Sequence, residues 1–591
     1  MEIKRVFDIL DNLKSNSGKT DILNGKENKK WVNYSVQDFS ENSLLVSSAL
    51  LALGLKKGDV VCIMANNRPE WNFVDYGAQQ VAMPTAPIYP TVSASDLKFI
   101  LNHSEAKIIF ISDRSVYQKL SEMETELPHL KYVFSFNHIE GVKHFSEFLE
   151  LGRINNKLSQ IEDIKKGIGE NDLFTIIYTS GTTGNPKGVM ISHKGILSNV
   201  QAIRFLAPFQ KDWRALSFLP LNHVYERVIN TLYLYHGVSI YYAENFETIG
   251  DNCREIHPQI FVAVPRILER VLEKICAAGN KLTGFKKKIF DLSIRLAEIY
   301  ELNGKNGLWY EIQRKVCDIL VYSKWRAAIG GKIVCVVSGG AALNPRIERI
   351  FFCAGINLLQ GYGLTETSVV ISVNHFGKDN IRFGTVGPIV NNVEVKIAED
   401  DGEILMKGPS LMMGYYKNPE ATAEVIDKDG WFHTGDVGVF VENKFLKITD
   451  RKKELFKSSS GKYISPVAIE NKLKECRFIE QCMVVGEGQK FASAIIIPNM
   501  INFKEYCQSN NIPWEGNDVM IHNEELKKLI NNHIKYVNST LAPYEQLKRS
   551  QIINGHWTVE SGEITPKLSL KRKVIKEKNQ QVINKIFSVE E

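Results

Sequence analysis

Short apolar runs alternate with amphipathic stretches over residues 31–242 of this 591-residue chain. Val60–Met64 and Ile108–Ile111 are two such runs. Continuous apolar runs of this length are typical of strands that are buried on both faces of a sheet, and the stretches between them have the spacing of helices that bury one face. The alternation therefore predicts an α/β fold with largely buried strands.

Residues 266–330 do not continue this alternation. Apolar residues recur there at helical spacing among many charged ones: Ile267, Val271, Ile275, Ile289, Leu292, Leu296 and Ile299. This pattern predicts a helical insertion. Strand-and-glycine segments return at 333–340 and 356–363, and hairpin-like strands follow them, so we expect mixed sheets.

The charged run Asp450–Glu454 separates this large part from a stretch of different character. Ser465 and Pro466 are typical of a helix start, strands are indicated at 482–485 and 494–497, and an amphipathic helix follows. We therefore expect a large amino-terminal part at 1–449, a hinge at 450–453 and a small mobile α+β domain at 454–591.

Charge and cysteine content exclude several classes of protein. Lys and Arg number 73 against 67 Asp and Glu, and a net charge of +6 is too small for this length to favour nucleic-acid binding. The nine cysteines are scattered without a C-x-x-C pair, which indicates reduced thiols rather than structural zinc. The amino terminus does not resemble a secretory leader, and no apolar stretch approaches the roughly 18 residues that span a bilayer. We expect a cytoplasmic protein.

The segment Leu173–Val189 has the features of a polyphosphate-binding loop. A buried strand leads into glycines that permit close backbone approach to a ligand, together with hydroxyl groups and one ammonium group that supply donors. These residues are Thr179, Ser180, Gly181, Thr182, Thr183, Gly184, Lys187 and Gly188. The spacing is not that of a Walker A loop, because Gly188 follows Lys187.

This segment resembles the phosphate-binding loop of the adenylate-forming superfamily, which includes acyl-CoA synthetases, aryl-CoA ligases, luciferases and peptide-synthetase adenylation domains. Further segments resemble the superfamily's motifs in their usual order: Gln360–Glu366, Gly384–Pro388, Trp431–Asp436 and Asp450–Glu454. The resemblance covers most of the chain and implies the two-part fold of that superfamily.

The resemblance implies an ATP and AMP site. It would consist of Thr179, Ser180, Gly181, Thr182, Thr183, Gly184, Ser338, Gly339, Gly340, Gln360, Gly361, Tyr362, Gly363, Asp436 and Arg451. Tyr362 offers an aromatic face for adenine. Asp436 would accept hydrogen bonds from both ribose hydroxyls, as an ionised carboxylate can, and Arg451 would reach the ribose from the other side.

The resemblance also implies residues that act on the phosphates. Lys187 would neutralise developing charge, and Thr365 would contact a phosphate. Glu366 and Thr182 would hold Mg²⁺, a hard cation that prefers oxygen ligands.

The acyl site is implied by segments typical of long-chain acyl-CoA synthetases. In Leu219–Arg227, His223 would lie beside the carboxylate that is activated, although a histidine alone is more often a core residue. The expected tunnel residues are Val264, Pro265, Arg266 and Gly339. A deep tunnel suits a long chain, because each buried methylene contributes about 0.8 kcal/mol of transfer free energy. The alternative interpretation is that the block at 266–330 is an insertion that only contributes packing.

The activity that the resemblance implies is that of a long-chain fatty-acid–CoA ligase with ATP, Mg²⁺ and coenzyme A as cofactors or co-substrates. A fatty-acid carboxylate attacks the α-phosphate, and the acyl-adenylate then passes its acyl group to CoA. Between the steps the small domain would pivot about Asp450–Lys453, and Gly461 would border the path of CoA.

One departure concerns the carboxyl-terminal lysine of the superfamily. In the long-chain register this lysine falls on Ser569, which cannot supply a positive charge. Lys571 is our first candidate for the missing ammonium and Lys567 our second, because a flexible stem tolerates a shifted Cα. Slow adenylation by a partly degenerate enzyme is the alternative.

Two other functions stay open at this point. The chain could be an acyl-AMP ligase that loads a carrier protein, or a sensor that binds nucleotide and acyl groups without turnover.

The oligomeric state and membrane contact are also open. A monomer and a homodimer are both consistent with the sequence. Basic residues lie beside Phe285, Ile289 and Phe290, and they either form a solvated helix face or engage anionic lipid at the inner face of the membrane. These are Lys281, Lys286, Lys287, Lys288 and Arg295.

Overall fold

The computed structural model describes residues 2–179, 185–377, 379–452, 454–459, 462–558, 561–564 and 570–588. The chain divides into two compact units. The first consists of Met1–Lys396, Leu405–His433 and Phe440–Lys447, and the second of Ile397–Ile404, Thr434–Val439 and Ile448–Glu591. The domain boundaries expected at 449 and 454 stay a prediction.

The helices of the first unit precede those of the second along the chain. In the first unit they are α1 Asp8–Asn16, α2 Val36–Ala52, α3 Pro69–Gln80, α4 Ala94–Ser104, α5 Arg114–Ser121, α6 Phe145–Asn155, α7 Leu158–Lys166, α8 His193–Ala202, α9 Val224–His236, α10 Ile249–Ile256, α11 Pro265–Asn280, α12 Gly284–Glu298, α13 Leu308–Cys317, α14 Ser323–Ala328, α15 Pro345–Cys353 and α16 Pro419–Ala423. In the second they are α17 Pro466–Leu473, α18 Met500–Ser509, α19 Asn517–Met520, α20 Glu524–Ser539, α21 Arg572–Lys578 and α22 Gln580–Ser588. A π-helical turn, Asp318–Tyr322, joins α13 to α14.

The strands form two large and three small sheets. In chain order they are β1 Leu23–Glu27, β2 Lys30–Tyr34, β3 Val61–Met64, β4 Thr85–Pro87, β5 Ile108–Ile111, β6 Tyr132–Ser135, β7 Lys143–His144, β8 Leu173–Thr179, β9 Lys187–Ser192, β10 Arg214–Ser217, β11 Ser239–Tyr242, β12 Ile260–Ala263, β13 Cys335–Ser338, β14 Asn357–Tyr362, β15 Ser372–Val373, β16 Glu394–Ile397, β17 Glu403–Lys407, β18 Gly414–Tyr415, β19 Phe432–Val441, β20 Phe445–Arg451, β21 Phe456–Lys457, β22 Tyr463–Ile464, β23 Ile479–Val485, β24 Ala492–Pro498 and β25 Leu547–Ile552.

Two eight-stranded sheets form the framework of the first unit. Their strand orders are β15-β14-β13-β12-β10-β11-β1-β2 and β18-β9-β8-β4-β3-β5-β6-β7. Strands β3, β5, β12 and β13 are buried along their whole length, as their apolar sequences predict. Both sheets mix parallel and antiparallel pairs, so the predicted α/β class with mixed sheets is confirmed.

The remaining sheets are smaller. One has the order β16-β17-β19-β20, and each of its strands runs across the boundary between the units. The second unit contains the hairpin β21-β22 and the sheet β23-β24-β25.

Local signals in the second unit are realised in the fold. The Ser465 side chain caps α17 by accepting a hydrogen bond from the backbone N–H of Ala468, and Pro466 occupies the first turn. Helix α20 buries Leu526, Ile530 and Ile534 at the predicted helical spacing.

The block between β12 and β13 is helical, as its spacing predicts, and consists of α11 to α14. Searched over the described residues, no helix combines the length and the apolar character that crossing a bilayer requires. All nine cysteines are free thiols, and eight of them are buried.

Candidate functional site

The carboxyl ends of successive parallel strands bring together segments that lie far apart in sequence. In the first sheet, β12 pairs with β13 and β13 with β14, so Ser338 stands between Ala263 and Gln360 in register. Val264 follows Ala263, and the Gly-Gly turn follows Ser338. The carboxyl edge of a parallel sheet is the usual place for a ligand. The predicted acyl and adenine segments therefore share one edge.

Gly339 permits the close approach of another predicted segment. A Cβ atom at Gly339 would lie 3.2 Å from the Tyr225 ring, and the Tyr225 hydroxyl donates to the backbone oxygen of Val337 at 3.1 Å. The Val264 side chain lies 3.9 Å from where a Cβ of Gly340 would stand. Tyr225 thus fixes the start of α9, and with it His223, against the turn. Tyr225 is not among the residues that the sequence motifs predict for the site.

His223 begins α9 as its N-cap. Its Nδ1 accepts a hydrogen bond from the backbone N–H of Tyr225 at 3.0 Å. A neutral ring that accepts at Nδ1 carries its proton on Nε2. His223 is therefore set up to donate a hydrogen bond from Nε2 rather than to take a proton there. A second predicted acyl-site residue, Arg266, lies in the first turn of α11 and pairs with Glu269 at 3.2 Å.

The predicted phosphate loop connects the antiparallel strands β8 and β9. Thr179 and Lys187 are paired across these strands, so they hold the two ends of the loop. Ser180, Gly181, Thr182, Thr183 and Gly184, which were assigned to ATP, lie outside the described residues.

Lys187, Tyr415 and Glu366 converge in the first unit. Strand β18 pairs with β9, which places the Tyr415 ring 4.9 Å from the Lys187 ammonium. The Tyr415 hydroxyl donates to Glu366 Oε1 at 2.9 Å, and the backbone N–H of Met412 donates to the Glu366 backbone oxygen at 2.7 Å. Burial and the neighbouring Glu366 raise the pKa of Tyr415 well above its ordinary value, so the phenol remains a donor. Tyr415 was not among the predicted site residues.

Glu348 connects two of the predicted motifs. Its Oε2 accepts from the Gln360 side chain at 3.1 Å and from the backbone N–H of Gly384 at 2.9 Å. Burial raises the pKa of Glu348 to about 8. The only sequence signal that Glu348 connects these motifs is its position as an acidic residue among the apolar residues Ile347, Ile350 and Phe351.

The turn after β14 is tightly packed. A Cβ atom at Gly363 would lie 1.3 Å from the backbone oxygen of Val369, so only glycine fits. Val369 has a φ of +107°, a conformation that β-branched residues rarely adopt. Thr365 is buried within this turn, whereas Gln360 and Tyr362 lie at its start. The backbone around Thr365 and Glu366 is thus held in a strained but defined position.

A buried ion pair lies against strands β4 and β8. Arg227 on α9 pairs with Asp75 on α3, and its guanidinium also donates to Thr175 on β8 at 2.7 Å and to Thr85 on β4 at 2.8 Å. The Phe174 ring lies 4.2 Å from the guanidinium carbon. This cluster fixes the strand that leads into the loop and the helix that begins at His223.

Glu226 precedes Arg227 in sequence and is buried. Among the described residues, no Lys, Arg or His forms an ion pair with its carboxyl group. It accepts hydrogen bonds from the Ser217 hydroxyl and from the Asn230 side chain at 3.1 Å. Burial raises the pKa of Glu226 to about 8, so the carboxyl is largely neutral at pH 7.

In the second unit, the two residues assigned to the ribose contact one another. The Arg451 Nε donates to Asp436 Oδ1 at 3.1 Å, and Asp436 is buried whereas Arg451 is exposed. Next to them, Lys452 pairs with Asp401 at 2.5 Å and with Glu403 at 2.8 Å.

The predicted hinge begins at a buried carboxyl. Burial raises the pKa of Asp450 to about 6, against hydrogen bonds from the Ser465 side chain and from the backbone N–H of Arg451 at 2.6 Å. Lys453 of the hinge and Gly461 of the CoA path lie outside the described residues.

Lys571 is the N-cap residue of α21 and is exposed, and its backbone N–H donates to the Glu563 oxygen at 2.7 Å. The next residue, Arg572, pairs with Glu470 at 2.7 Å and with Glu454 at 3.2 Å, which fixes the start of the helix. Lys567, the second candidate, and Ser569 lie outside the described residues.

The described residues do not contain a cluster of three or more His, Cys, Asp or Glu side chains that could hold a metal ion by themselves. Glu366 offers a single carboxylate, and Thr182, the second predicted ligand, lies outside those residues. One carboxylate completed by water and substrate phosphates is a usual way to bind Mg²⁺. The donor set therefore fits a magnesium ion that arrives with a nucleotide.

Comparison with known families gives two matches. The family model described as AMP-binding enzyme matches residues 12–416, and the model described as AMP-binding enzyme C-terminal domain matches residues 454–591. The resemblance predicted from the sequence motifs is thereby confirmed.

Curated relatives match over nearly the whole chain. The long-chain-fatty-acid–CoA ligase FadD15 of Mycobacterium bovis is 31% identical over 572 residues, which cover 95% of this chain and 93% of the relative. The peroxisomal long chain acyl-CoA synthetase 6 of Arabidopsis thaliana is 32% identical over 593 residues, with 94% of this chain and 82% of the relative covered.

Solved structures share the fold. The crystal structure of the anthranilate CoA ligase AuaEII in complex with anthranoyl-AMP aligns with a TM-score of 0.73 at 17% identity, covering 98% of each chain. At this identity the likeness concerns the fold, and it confirms the fold of adenylate-forming enzymes.

Proposed function

The chain belongs to the AMP-binding enzyme family, and from this premise we propose that it activates long-chain fatty acids with ATP and transfers them to coenzyme A. The observation that carries this proposal is the convergence of Lys187, Tyr415 and Glu366 beside the predicted phosphate loop. The named activities of relatives that match 94–95% of the chain support the substrate class.

In the first step a fatty-acid carboxylate oxygen attacks the α-phosphorus of ATP. The bond from this phosphorus to the bridging oxygen breaks, and pyrophosphate leaves. We assign to the Lys187 ammonium the charge that develops on the phosphates, and to His223 Nε2–H a hydrogen bond to the reacting carboxylate. The buried cluster of Arg227 holds β8, which pairs with the strand of Lys187, and α9, which begins next to His223.

Magnesium fits this site through Glu366. The ion would be held by the Glu366 carboxylate and by substrate oxygens, and it would withdraw charge from the departing pyrophosphate. The contribution of Tyr415 is to fix one oxygen of Glu366 by donating to it, which orients the other oxygen.

We propose that the adenine lies beside Tyr362 and the Gly339–Gly340 turn, and that Asp436 and Arg451 bind the ribose. The acyl chain would enter beside Val264–Arg266. The Nε–H bond from Arg451 to Asp436 supports the ribose assignment, because it places the guanidinium and the carboxylate assigned to the ribose next to each other.

In the second step the sulfur of CoA attacks the acyl carbon. The acyl–oxygen bond breaks, AMP leaves, and the thiol proton passes to solvent. We propose that torsions at 450–453 change between the two steps, so that the second unit presents Lys571 in the first and the neighbourhood of Gly461 in the second.

The test of the overall proposal is a coupled assay of AMP release with free fatty acids of increasing length, with and without CoA. We expect steady release that requires ATP, fatty acid and CoA and that is greatest for long chains. Acyl-AMP that accumulates because CoA is not accepted would indicate carrier-protein loading instead. Nucleotide binding without AMP release would indicate a sensor.

The assignment of Lys571 has its own test in pyrophosphate release. We expect Lys571→Ala to lower the rate of adenylation at least about a hundredfold, because an ammonium group aimed at developing charge is lost. Lys567→Ala tests the second candidate, and Lys573→Ala is the matched control on the same helix. A wild-type rate in Lys571→Ala would contradict the assignment.

We further propose that the protein works in the cytoplasm, which the nine free thiols support, and that it contacts the membrane peripherally. Whether it is a monomer or a homodimer stays a prediction. The surface suited to membrane contact is argued next.

A further inference from the structure

Helix α13 and the π turn after it carry an outward-facing apolar surface, which we call the α13 face. Its residues follow one another at helical spacing: Leu308, Trp309, Ile312, Val316, Ile319 and Leu320. All are exposed, Trp309 by 71% and Ile319 by 73%. An exposed patch of this kind on a folded chain marks an interaction surface.

The α13 face points outward because the opposite side of the helix is anchored. Tyr310, Cys317 and Tyr322 are buried on that side. The Tyr310 hydroxyl donates to the Leu296 oxygen at 2.5 Å, and the Tyr322 hydroxyl donates to the Ser293 oxygen at 2.7 Å, both on α12. The face is therefore held in a fixed orientation rather than exposed by fraying.

The segment 281–328, which contains the α13 face, carries more Lys and Arg residues than Asp and Glu residues. Within 281–328 each acidic residue is engaged in an ion pair: Asp291 with Lys287, Glu298 with Arg346, Glu301 with Arg349, Glu311 with Arg314 and Asp318 with Arg326. Several cations, by contrast, lie more than 4 Å from any carboxylate of the described residues. These are Lys281, Lys286, Lys288, Arg295, Lys315 and Lys324.

This surface differs from the one expected from the sequence. Phe290 is buried against Trp325, and Ile289 is partly buried, because α12 turns them toward the core. Of the three apolar residues named there, Phe285 is exposed. The apolar surface therefore comes mainly from α13.

We propose that the α13 face docks on the surface of a bilayer that contains anionic lipid. Lys315 lies on α13 one helical turn from Ile312 and Ile319. A cation beside exposed apolar side chains complements anionic headgroups above acyl chains, and a tryptophan suits the interface between them. A second copy of the chain would bring Lys315 and Lys324 against cations of the same kind, which opposes a symmetric dimer through this face. The proposal deepens the peripheral contact proposed above and is independent of the chemistry at Lys187.

The test is flotation of the full chain with vesicles of phosphatidylcholine, with and without phosphatidylglycerol. We expect the wild type to bind the anionic vesicles and to dissociate as salt is added. The variant Trp309→Ser/Ile312→Ser/Val316→Ser should lose at least about tenfold in vesicle partitioning, because three apolar side chains no longer enter the interface. Lys286→Gln/Lys288→Gln/Lys315→Gln should weaken binding to anionic vesicles alone.

Matched controls keep the test specific. Ile154 and Phe205 are exposed by 73% and 61% elsewhere on the first unit, and Ile154→Ser/Phe205→Ser should bind vesicles as the wild type does. Circular dichroism and AMP release with dispersed fatty acid should be unchanged in every variant. A wild-type protein that floats with anionic vesicles but releases no AMP would count against the proposed activity and not against the docking surface.

Direct contact can be read from tryptophan fluorescence. We expect anionic vesicles to shift the emission of the wild type to shorter wavelength and brominated lipid to quench it, and Trp309→Phe to lose both effects while still floating. Equal flotation of the wild type and the triple serine variant would overturn the proposal. The proposal would also be overturned if the wild type did not bind vesicles and formed a dimer that substitutions in the α13 face convert to a monomer.

Discussion

Two charged clusters hold functional residues in different ways. Against β4 and β8, Arg227 and Asp75 are each exposed by 3% and are joined by threonine hydroxyls from the two strands. Next to the predicted hinge, Arg451 is exposed by 59% and Lys452 is also largely open to solvent. The first cluster is sealed in the core, whereas in the second the cations are exposed to water and their partners Asp436 and Glu403 are buried.

The difference indicates what each region must do. A buried ion pair tolerates neither the loss of one partner nor a change of geometry, so it fixes β8 and α9 in one position. Exposed pairs contribute little and can be exchanged for water. The first arrangement suits a site that must be formed before ATP binds, and the second suits a junction whose torsions change between two steps.

The largest effect should come from breaking the buried pair. Arg227→Met leaves the Asp75 carboxylate buried without a cation, and we expect the free energy of unfolding to fall by about 3–5 kcal/mol. Urea unfolding followed by circular dichroism measures this loss. The matched control is Arg153→Met, because Arg153 pairs with Glu150 on the surface and its loss should change stability by less than about 0.5 kcal/mol.

A double variant sharpens the interpretation. In Asp75→Asn/Arg227→Met neither charge is left buried, so part of the lost stability should return. If Arg227→Met were as stable as the control, the cluster would not be what fixes β8 and α9.

Glu226 gives a pH dependence that belongs to the sealed region. Because burial raises the pKa of Glu226 from 4.5 to about 8, the native state keeps a proton that the unfolded chain has released. The stability that depends on this proton is complete below pH 4.5 and is lost as the pH rises through about 8. From pH 6 to pH 8 the free energy of unfolding should fall by about 2 kcal/mol because of Glu226.

The variant Glu226→Gln keeps the shape of the side chain and cannot ionise. We expect its stability to fall less steeply than that of the wild type from pH 6 to 8, with AMP release at pH 7 close to the wild-type rate. Glu348 has a similarly raised pKa and also makes stability fall with rising pH. Part of the pH dependence of the free energy of unfolding should therefore persist in Glu226→Gln. Parallel stability curves for the two proteins would show that Glu226 is ionised in the native state.

Local chemistry made much of this molecule predictable. The strand ends along β12, β13 and β14 lie side by side, in the order in which the predicted acyl and adenine segments follow them. The cap at Ser465 is likewise a local signal. Such features depend on residues close together in sequence, so the sequence predicts them directly.

Contacts between distant residues were not predictable in the same way. Tyr415 reaches Glu366 across 49 positions, and Arg227 reaches Asp75 across 152. Both depend on which strands become neighbours, which periodicity does not specify. Helical spacing likewise does not say which side of α12 faces Trp325, where Phe290 is buried.

Tyr415 is a positioning residue whose effect should be smaller than that of the buried pair. Tyr415→Phe keeps the ring beside Lys187 but removes the donor to Glu366. We expect kcat for adenylation to fall about tenfold and the Mg²⁺ concentration at half-maximal rate to rise, with the KM for fatty acid unchanged. Tyr416→Phe, one residue along, is the control. Equal Mg²⁺ dependence in wild type and Tyr415→Phe would mean that the hydroxyl does not orient Glu366.

The smallest effect should come from the exposed cluster. Lys452 pairs with Asp401 and Glu403 next to the predicted hinge, and these carboxylates raise its pKa. Lys452 is 45% exposed, and Glu403 keeps the hydrogen bond that the Gly435 backbone N–H donates to it at 2.8 Å. Because a glutamine at 452 can also still donate, Lys452→Gln should lower the free energy of unfolding by less than about 1 kcal/mol, and added salt should lower the wild type toward the variant. Urea unfolding at low and high ionic strength measures both, with Lys528→Gln, which breaks the surface pair with Glu525, as the control. A loss as large as that of Arg227→Met, or one that salt does not reduce, would mean that the junction is held as rigidly as the core, and hinge motion at 450–453 would then require breaking a strong contact in every catalytic cycle.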